Sequence, residues 1–427
     1  MLSAAAPRRV AIIGGSRIPF ARANTAYAEL SNSDMLAGAL QALVDRFDLH
    51  GQRLGEVVAG AVLKHARDIN LTRECVFSTT LSHETPAYDI QQACGTGLEA
   101  AILVANKIAL GQIDCGIAGG VDTVSDAPIA LNDGLRKTLL RAGRARSVGG
   151  RIAAFGGARP SMLKPELPRN AEIRTGLSMG EHCELMARRW NIARADQDAL
   201  AVASHRNLHA AYEAGYLNSL VVPFEGLSRD NNLRPDIDPG KIAAMKPVFD
   251  RRAGTLTAAN STPLTDGAAV VLLASEDWAR ERGLPILAYL RAGEAAAVDF
   301  VRGDEGLLMA PVHAVPRMLS KLGLSLQDFD FYEIHEAFAA QVLCTLAAWE
   351  DAEYARERLG LAEPPGAIDR AKMNMWGGSL ATGHPFAATG GRILASLATM
   401  IDRRGSGRGL ISVCAAAGQG VVAVIEK

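Results

Sequence analysis

The sequence predicts an α/β protein built from two related halves, the first interrupted by an insertion. Three observations carry this. Strand-like and helix-like segments alternate through residues 1–130, and the last third repeats the plan of the first. Between Leu131 and Asp250 the rhythm breaks.

Composition sets the frame. At 427 residues the chain is too long for one simple core. Its 48% hydrophobic and 21% charged residues are those of a folded globular protein. The 42 glycines and abundant alanine suit helices packed close on strands. A formal net charge of −1 leaves the whole chain no electrostatic case for nucleic acid. Cys75, Cys94, Cys115, Cys183, Cys344 and Cys414 lie far apart with no CxxC pair, which points to reduced thiols in a cytoplasmic protein. Met1–Arg9 is too short for a transit peptide, and no apolar run approaches the roughly 20 residues that span a bilayer.

Arg9 to Ile13 reads as a first strand ending in Gly14-Gly15. Ser33 to Phe47 has helical periodicity and leads to a strand over Val57 to Val62. Asn70 to Thr80 reads as helix, and Cys115 to Ala118 as a strand closed by a Gly119-Gly120 break. Between them lies a short extended run that meets Cys94, then Gly95, Thr96 and Gly97, then a helix-forming run.

From 131 to 250 an inserted loop domain is expected. Gly134 to Asn170 holds nine Lys or Arg and only Glu166 as an acid, and Pro160, Pro165 and Pro168 argue against long regular elements there. Arg194 to Ala214 is helical, and Asn231-Asn232, Pro235, Asp238-Pro239-Gly240 and Pro247 mark loops. The α/β rhythm resumes at Thr255 and at Val270 to Ala274.

The last third then repeats the first. Leu287 to Leu290 matches the first strand, and Pro311 to Leu322 with Phe329 to Ile334 matches the first helix–strand unit. Phe386 to Leu394 echoes Cys94 to Ile102, with Thr-Gly before a helix in both, and Leu410 to Val413 matches Cys115 to Ala118. A period this long means a duplicated domain. The expected division is 1–130 completed by 251–283, an insertion over 131–250, and 284–427.

Duplication would bring equivalent loops to one place. Four loops carry reactive side chains: Cys94; His335-Glu336-Ala337-Phe338; Gly383-His384-Pro385; and Cys414 to Gly420. Cys94 stands where a helix begins, and the unpaired N–H groups and positive dipole end there favour a thiolate of lowered pKa. The alternative for each is plain packing: a buried small cysteine, or a histidine after a strand. Two Cys and two His could also bind zinc, but structural zinc sites draw on close pairs such as CxxC. Thiol-based acyl transfer fits the set better. One thiolate attacks a carbonyl, a histidine takes the proton, a second thiol shuttles a proton, and paired donors hold the oxyanion.

In order and spacing the four loops resemble those of the thiolase family over almost the whole chain. The family's usual Cys-x-Ser-Gly reads Cys94-Gly95-Thr96-Gly97 here. Its Asn-Glu-Ala-Phe has His335 in first place, its Gly-His-Pro is retained, and its Cys-x-Gly has Ala416 in last place. His335-Glu-Ala-Phe-Ala-Ala-Gln, the run Ala258 to Ala268 and the basic Leu163-Lys-Pro-Glu-Leu-Pro168 are most similar to the β-subunit branch of the fatty-acid oxidation (trifunctional) complex. The resemblance implies an αβαβα layered fold and thiolytic cleavage of 3-ketoacyl-CoA, with Cys94 as nucleophile, His384 as its base and Cys414 as acid/base. It implies one oxyanion hole from His384 and His335, and a second from the backbone N–H groups of Cys94 and Ala416. CoA contacts fall on Thr262 and Met179. CoA and acyl-CoA are substrates, with no metal or other cofactor. A homodimer or tetramer is implied, with a hydratase/dehydrogenase α-subunit and a membrane contact through 134–170 as further partners. The alternatives are an acetoacetyl-CoA thiolase that condenses two acetyl-CoA, and a non-catalytic acyl-CoA- or lipid-binding relative. Decarboxylating condensing enzymes share the fold but carry His in place of the second cysteine, and Cys414 argues against them.

Overall fold

A computed structural model describes residues 7–302 and 305–427, so most of the Met1–Arg9 segment lies outside the described residues. Among the described residues ten strands form, namely β1 (Val10–Arg17), β2 (Ala21–Arg22), β3 (Glu56–Ala59), β4 (Ala87–Asp89), β5 (Cys115–Asp122), β6 (Thr265–Ser275), β7 (Ala288–Ala297), β8 (Phe331–Ile334), β9 (Arg408–Ala415) and β10 (Gln419–Glu426). Their order is β4-β3-β5-β6-β1-β7-β10-β9-β8, with β2 beside β6.

Duplication is visible in this order. Inside the edge strand β4, reading inward on each side, β3-β5-β6-β1 and β8-β9-β10-β7 share one topology. The first pair is parallel in each half, β3 with β5 and β8 with β9. The next two pairs are antiparallel in each half. The halves join through β1 and β7, at Ala11 opposite Tyr289 and Ile12 opposite Ala288.

Strand alternation assigns each face to a layer. Val10 and Ile12 of β1, Val271 and Leu273 of β6, and Val421, Ala423 and Ile425 of β10 share one core with α3 (Thr96–Ala109) and a helix over Ala388–Arg404. The opposite faces, with Ala11, Ile13, Val270 and Leu272, pack on α1 (Asn32–Arg46) and α2 (Leu71–Phe77). In the second half Val422 and Val424 pack on α4 (Ala310–Leu322) and α5 (Ala339–Glu350). Numbering the Ala388–Arg404 helix α6, the layers run helix, sheet, central α3 and α6, sheet, helix. This is the expected αβαβα arrangement.

The expected Gly119-Gly120 break is absent, because β5 continues through both to Asp122. A side chain at Gly120 would sit 2.2 Å from the Ala387 carbonyl, and one at Gly119 would sit 2.3 Å from that of Ala269. The glycines therefore serve close packing inside a strand. Likewise β1 runs through Gly14-Gly15. Two shorter differences are the ending of β3 at Ala59 and the span of α2, Leu71–Phe77. β10, which the Gly-rich end of the Cys414 loop hides in the sequence, is a full strand.

The insertion occupies the connection between the neighbouring strands β5 and β6. In the second half the same connection is a tight turn, with Ala417 at φ +61° and Gly418 at φ +70° between β9 and β10. Helices Asp133–Arg144 and Val148–Ala153 form just before the prolines that argued against regular structure, the first capped by Asn132 and the second by Ser147. Met179–Arg189 and Arg194–Glu213 follow. No strand forms at Thr255. A buried anchor ties the insertion to β1: Arg17 donates both terminal nitrogens to Asp230, at 2.6 and 2.7 Å, and Tyr212 Oη adds a third bond at 2.8 Å.

Candidate active site

Cys94 lies just before the first turn of α3, whose N-cap is Gly95. Ala93 is held at φ +48°, a sparsely populated conformation for a residue with a side chain. Thr96 holds this turn. Its hydroxyl accepts from Gln92 N at 2.8 Å and donates to Ala93 O at 2.7 Å.

The loop that leads into the equivalent helix of the second half, α6, brings His384 to this thiol. His384 Nε2 is 3.1 Å from Cys94 Sγ, and His384 Nδ1 is 2.6 Å from Thr389 Oγ1. His384 N donates to Thr265 Oγ1 at 2.7 Å. For Nε2 to take the thiol proton, Nδ1 must carry the ring hydrogen and donate it to Thr389. Thr96 and Thr389 are the two threonines of the repeated Thr-Gly, one holding the Cys94 turn and the other the His384 ring. The glycines that follow let α3 and α6 touch. A side chain at Gly97 would meet Ala387 O at 2.6 Å, and one at Gly390 would meet Leu98 N at 2.2 Å.

His335 sits at the end of β8, and its ring centroid is 4.2 Å from that of His384. A ring nitrogen of each histidine and Cys94 Sγ all lie within 4.8 Å of one another. His335 Nδ1 is 2.8 Å from Ser379 Oγ, and Nε2 is buried with no partner among the described residues. The neighbouring Glu336 accepts from Ser204, Asn374 and Leu380 N, and so ties the His335 loop to the insertion and to the segment 374–380.

Burial dominates the electrostatics. It pushes the Cys94 thiol up to about 12, against backbone hydrogen bonding from Ala416 and from Cys94 itself. This corrects the expectation of a lowered pKa. Cys94 precedes the helix N-cap in a dry interior, and desolvation of the thiolate outweighs the donors. Burial, with the charge of Arg392 adding to it, also lowers His384 to about 3. The resting pair is a neutral thiol against a neutral imidazole. Asp122, buried and raised to about 7 by desolvation, accepts from Val62 N, Leu63 N and Ala387 N, pinning the loop that carries His384.

Cys414 lies buried in β9, its pKa raised well above the usual thiol value by burial and then by the Cys94 thiol. It stands outside the group of Cys94, His335 and His384. The tight turn that follows β9 starts at Ala416, which explains how that backbone N–H reaches Cys94. Thr262 is half-buried, its hydroxyl donating to Ala337 O at 3.1 Å beside the His335 loop. Met179 opens the helix Met179–Arg189 and is half-buried against the outer core of the second half. Sequence reasoning missed Thr265, Ser379, Arg392 and Asp122. Thr389 stood inside the repeated Thr-Gly and was legible there.

Three ligating atoms this close could also converge on a metal ion. A metal, however, would occupy the one thiol and both imidazoles, leaving no nucleophile, base or ring donor. Acyl transfer uses all three.

Two family models match the chain: "Thiolase, N-terminal domain" over residues 10–277 and "Thiolase, C-terminal domain" over residues 284–427. A 3-ketoacyl-CoA thiolase of Yersinia pestis (strain Pestoides F) is 40% identical over 424 residues, covering 98% of this chain and 97% of the relative. Its counterpart in Yersinia pseudotuberculosis serotype O:3 (strain YPIII) matches to the same extent. Among solved structures, a Bacillus anthracis acetyl-CoA acetyltransferase superposes with a TM-score of 0.82 at 29% identity, covering 99% of each chain. Human mitochondrial 3-ketoacyl-CoA thiolase gives a TM-score of 0.81 at 26% identity, covering 98% of this chain and 99% of the other.

Proposed function

We infer the reaction from the premise that this chain belongs to the thiolase family. It is a 3-ketoacyl-CoA thiolase, an acyltransferase that cleaves 3-ketoacyl-CoA with free CoA to acetyl-CoA and a shortened acyl-CoA. The observation that carries this is the 3.1 Å contact between Cys94 Sγ and His384 Nε2, with a second buried thiol, Cys414, on β9.

Cys94 gives its proton to His384 as its sulfur attacks the 3-keto carbonyl. The oxyanion on that carbon is held by the backbone N–H groups of Cys94 and Ala416, the donors already directed at the sulfur. Collapse breaks the C2–C3 bond. The enolate oxygen of the departing acetyl-CoA is held by His384 and His335, and its carbon takes the Cys414 proton. Free CoA then returns a proton to Cys414 and attacks the acyl-Cys94 thioester. Cys94 leaves and recovers its proton from His384, so the cycle closes without net change in the protein. A neutral, buried Cys414 is suited to its first duty as an acid. CoA and acyl-CoA enter as substrates, and the cycle draws on no metal or further cofactor.

Thr262 and Met179 are assigned to the CoA-binding side. The working units are 1–130 with 251–283, the insertion 131–250, and 284–427. We place the protein in the cytoplasm as a homodimer or tetramer, with a hydratase/dehydrogenase subunit as a further partner. No helix among the described residues is long and apolar enough to cross a membrane. Within the insertion, residues 134–170 instead expose Leu139, Leu140, Val148, Ile152, Phe155 and Leu163 among nine basic residues, which supports peripheral contact of that stretch with an anionic membrane.

The test is to trap the acyl-enzyme by rapid acid quench with a 3-ketoacyl-CoA and map it by mass spectrometry. An acyl adduct on the Cys94 peptide is expected, and turnover by Cys94→Ala above background overturns the reading. The condensing alternative has its own observation, the likeness to an acetyl-CoA acetyltransferase. A series of ketoacyl-CoA chain lengths separates the two, since strong preference for the four-carbon substrate favours condensation.

A further inference from the structure

One buried cation near the reacting groups has no part in the proton transfers above. Arg392, on α6, is 4% exposed. Its Nη2 donates to Ser379 Oγ at 3.1 Å, its Nε has no partner among the described residues, and its nearest carboxylate, Glu333, stands 4.0 Å away. Burying a guanidinium with so little pairing is costly. Ser379, itself fully buried, is the link from this cation to His335, whose Nδ1 lies 2.8 Å from the same Oγ.

The hydrogen-bond inventory decides the direction. A guanidinium can only donate, so Ser379 Oγ accepts from Arg392. The oxygen has room for a second donor, but the serine's own hydrogen has no acceptor among the described residues other than His335 Nδ1, and leaving that buried hydroxyl hydrogen unpaired is costly, so Nδ1 accepts. Nδ1 of a neutral His335 is then the unprotonated nitrogen, and Nε2 carries the proton. That Nε2 is the buried nitrogen with no partner among the described residues.

We propose that Ser379 and Arg392 are positioning residues that lock His335 as its Nε2–H tautomer, so that this chain's His335 donates directly to the enolate oxygen. The adjacent His384 is held in the opposite tautomer by Thr389, with Nε2 free to accept. Two rings with centroids 4.2 Å apart thus divide the work, one accepting a proton and the other donating a hydrogen bond. The inference rests on the thiolase reading for its catalytic meaning, but the tautomer is a property of the resting protein.

Long-range ¹H–¹⁵N correlation spectra of the resting protein labelled with [¹⁵N]histidine, with His335 assigned by His335→Asn, read the tautomer. The unaltered protein is expected to show Nε2–H at His335. In Ser379→Ala a signal with Nδ1–H should emerge, with kcat lowered about tenfold or more, a fraction of the loss for removing an oxyanion donor outright, and KM little changed. Ser379→Thr should restore both. An Nδ1–H tautomer in the unaltered protein overturns the proposal without any variant having to fold. So does a Ser379→Ala spectrum and kcat equal to those of the unaltered protein. Failure of the thiolase reading would show separately, as absence of turnover by the unaltered protein.

Discussion

Cys94 and His384 are 290 positions apart in the sequence and 3.1 Å apart in the fold, sulfur to Nε2. Both partners are neutral at rest, because burial pushes the thiol up to about 12 and the imidazole down to about 3. A raised thiol pKa means that thiolate accumulates only as pH climbs toward that value. Without substrate, alkylation of Cys94 by iodoacetamide should therefore rise about tenfold per pH unit through the neutral range. An inflection near pH 6.5, where a water-exposed histidine titrates, would contradict the dry pair.

Thr389 orients the His384 ring through its 2.6 Å contact with Nδ1. Thr389→Val keeps the shape and removes the hydroxyl. The thiolysis rate should fall about ten- to hundredfold with the melting temperature little changed, and Thr389→Ser should recover most of it. Steady-state kinetics with differential scanning calorimetry checks both halves of this expectation.

The contact between α3 and α6 depends on glycine. Gly390→Ala would drive a methyl group to 2.2 Å from Leu98 N, backbone that cannot swing away. We expect a loss of about 3 kcal/mol or more, or failure to accumulate folded protein. Gly143→Ala, in an exposed helix with nothing within 4 Å of the added atom, is the control and should stabilise by up to about 1 kcal/mol. Urea unfolding of the two variants measures the difference.

The insertion's exposed face combines Leu139 and Leu140 with Arg and Lys side chains. The protein should sediment with vesicles containing phosphatidylglycerol, less so as salt is raised. Leu139→Ser with Leu140→Ser should weaken sedimentation several-fold and leave thiolysis unchanged. Equal sedimentation with neutral and anionic vesicles would argue against the electrostatic part of the contact.

Much of this was legible in the residues. The repeat of Cys94–Ile102 in Phe386–Leu394 announced the two central helices, and in the fold they are α3 and α6, packed through Gly97 and Gly390. The loops that carry Cys94, His335, His384 and Cys414 were also readable as candidates, because Cys and His stand there beside Gly and Pro. What misled was context. Gly119-Gly120 looks like a break on local preference, yet it lies inside β5 because Ala387 and Ala269 come too close for any side chain. β10 lay hidden because the Gly-rich turn before it resembles the end of a loop. The helix Asp133–Arg144 was obscured by prolines that act only downstream of it.

By itself, then, the sequence determined the class of fold, the duplication and which side chains are candidates for the chemistry, since periodicity and side-chain chemistry are local properties. Tertiary structure alone decided their protonation and their partners. The pKa of Cys94 depends on how dry its surroundings are, and the tautomer of His335 depends on Ser379 and Arg392, 44 and 57 positions downstream. Those are properties of packed neighbours, and no stretch of chain carries them on its own.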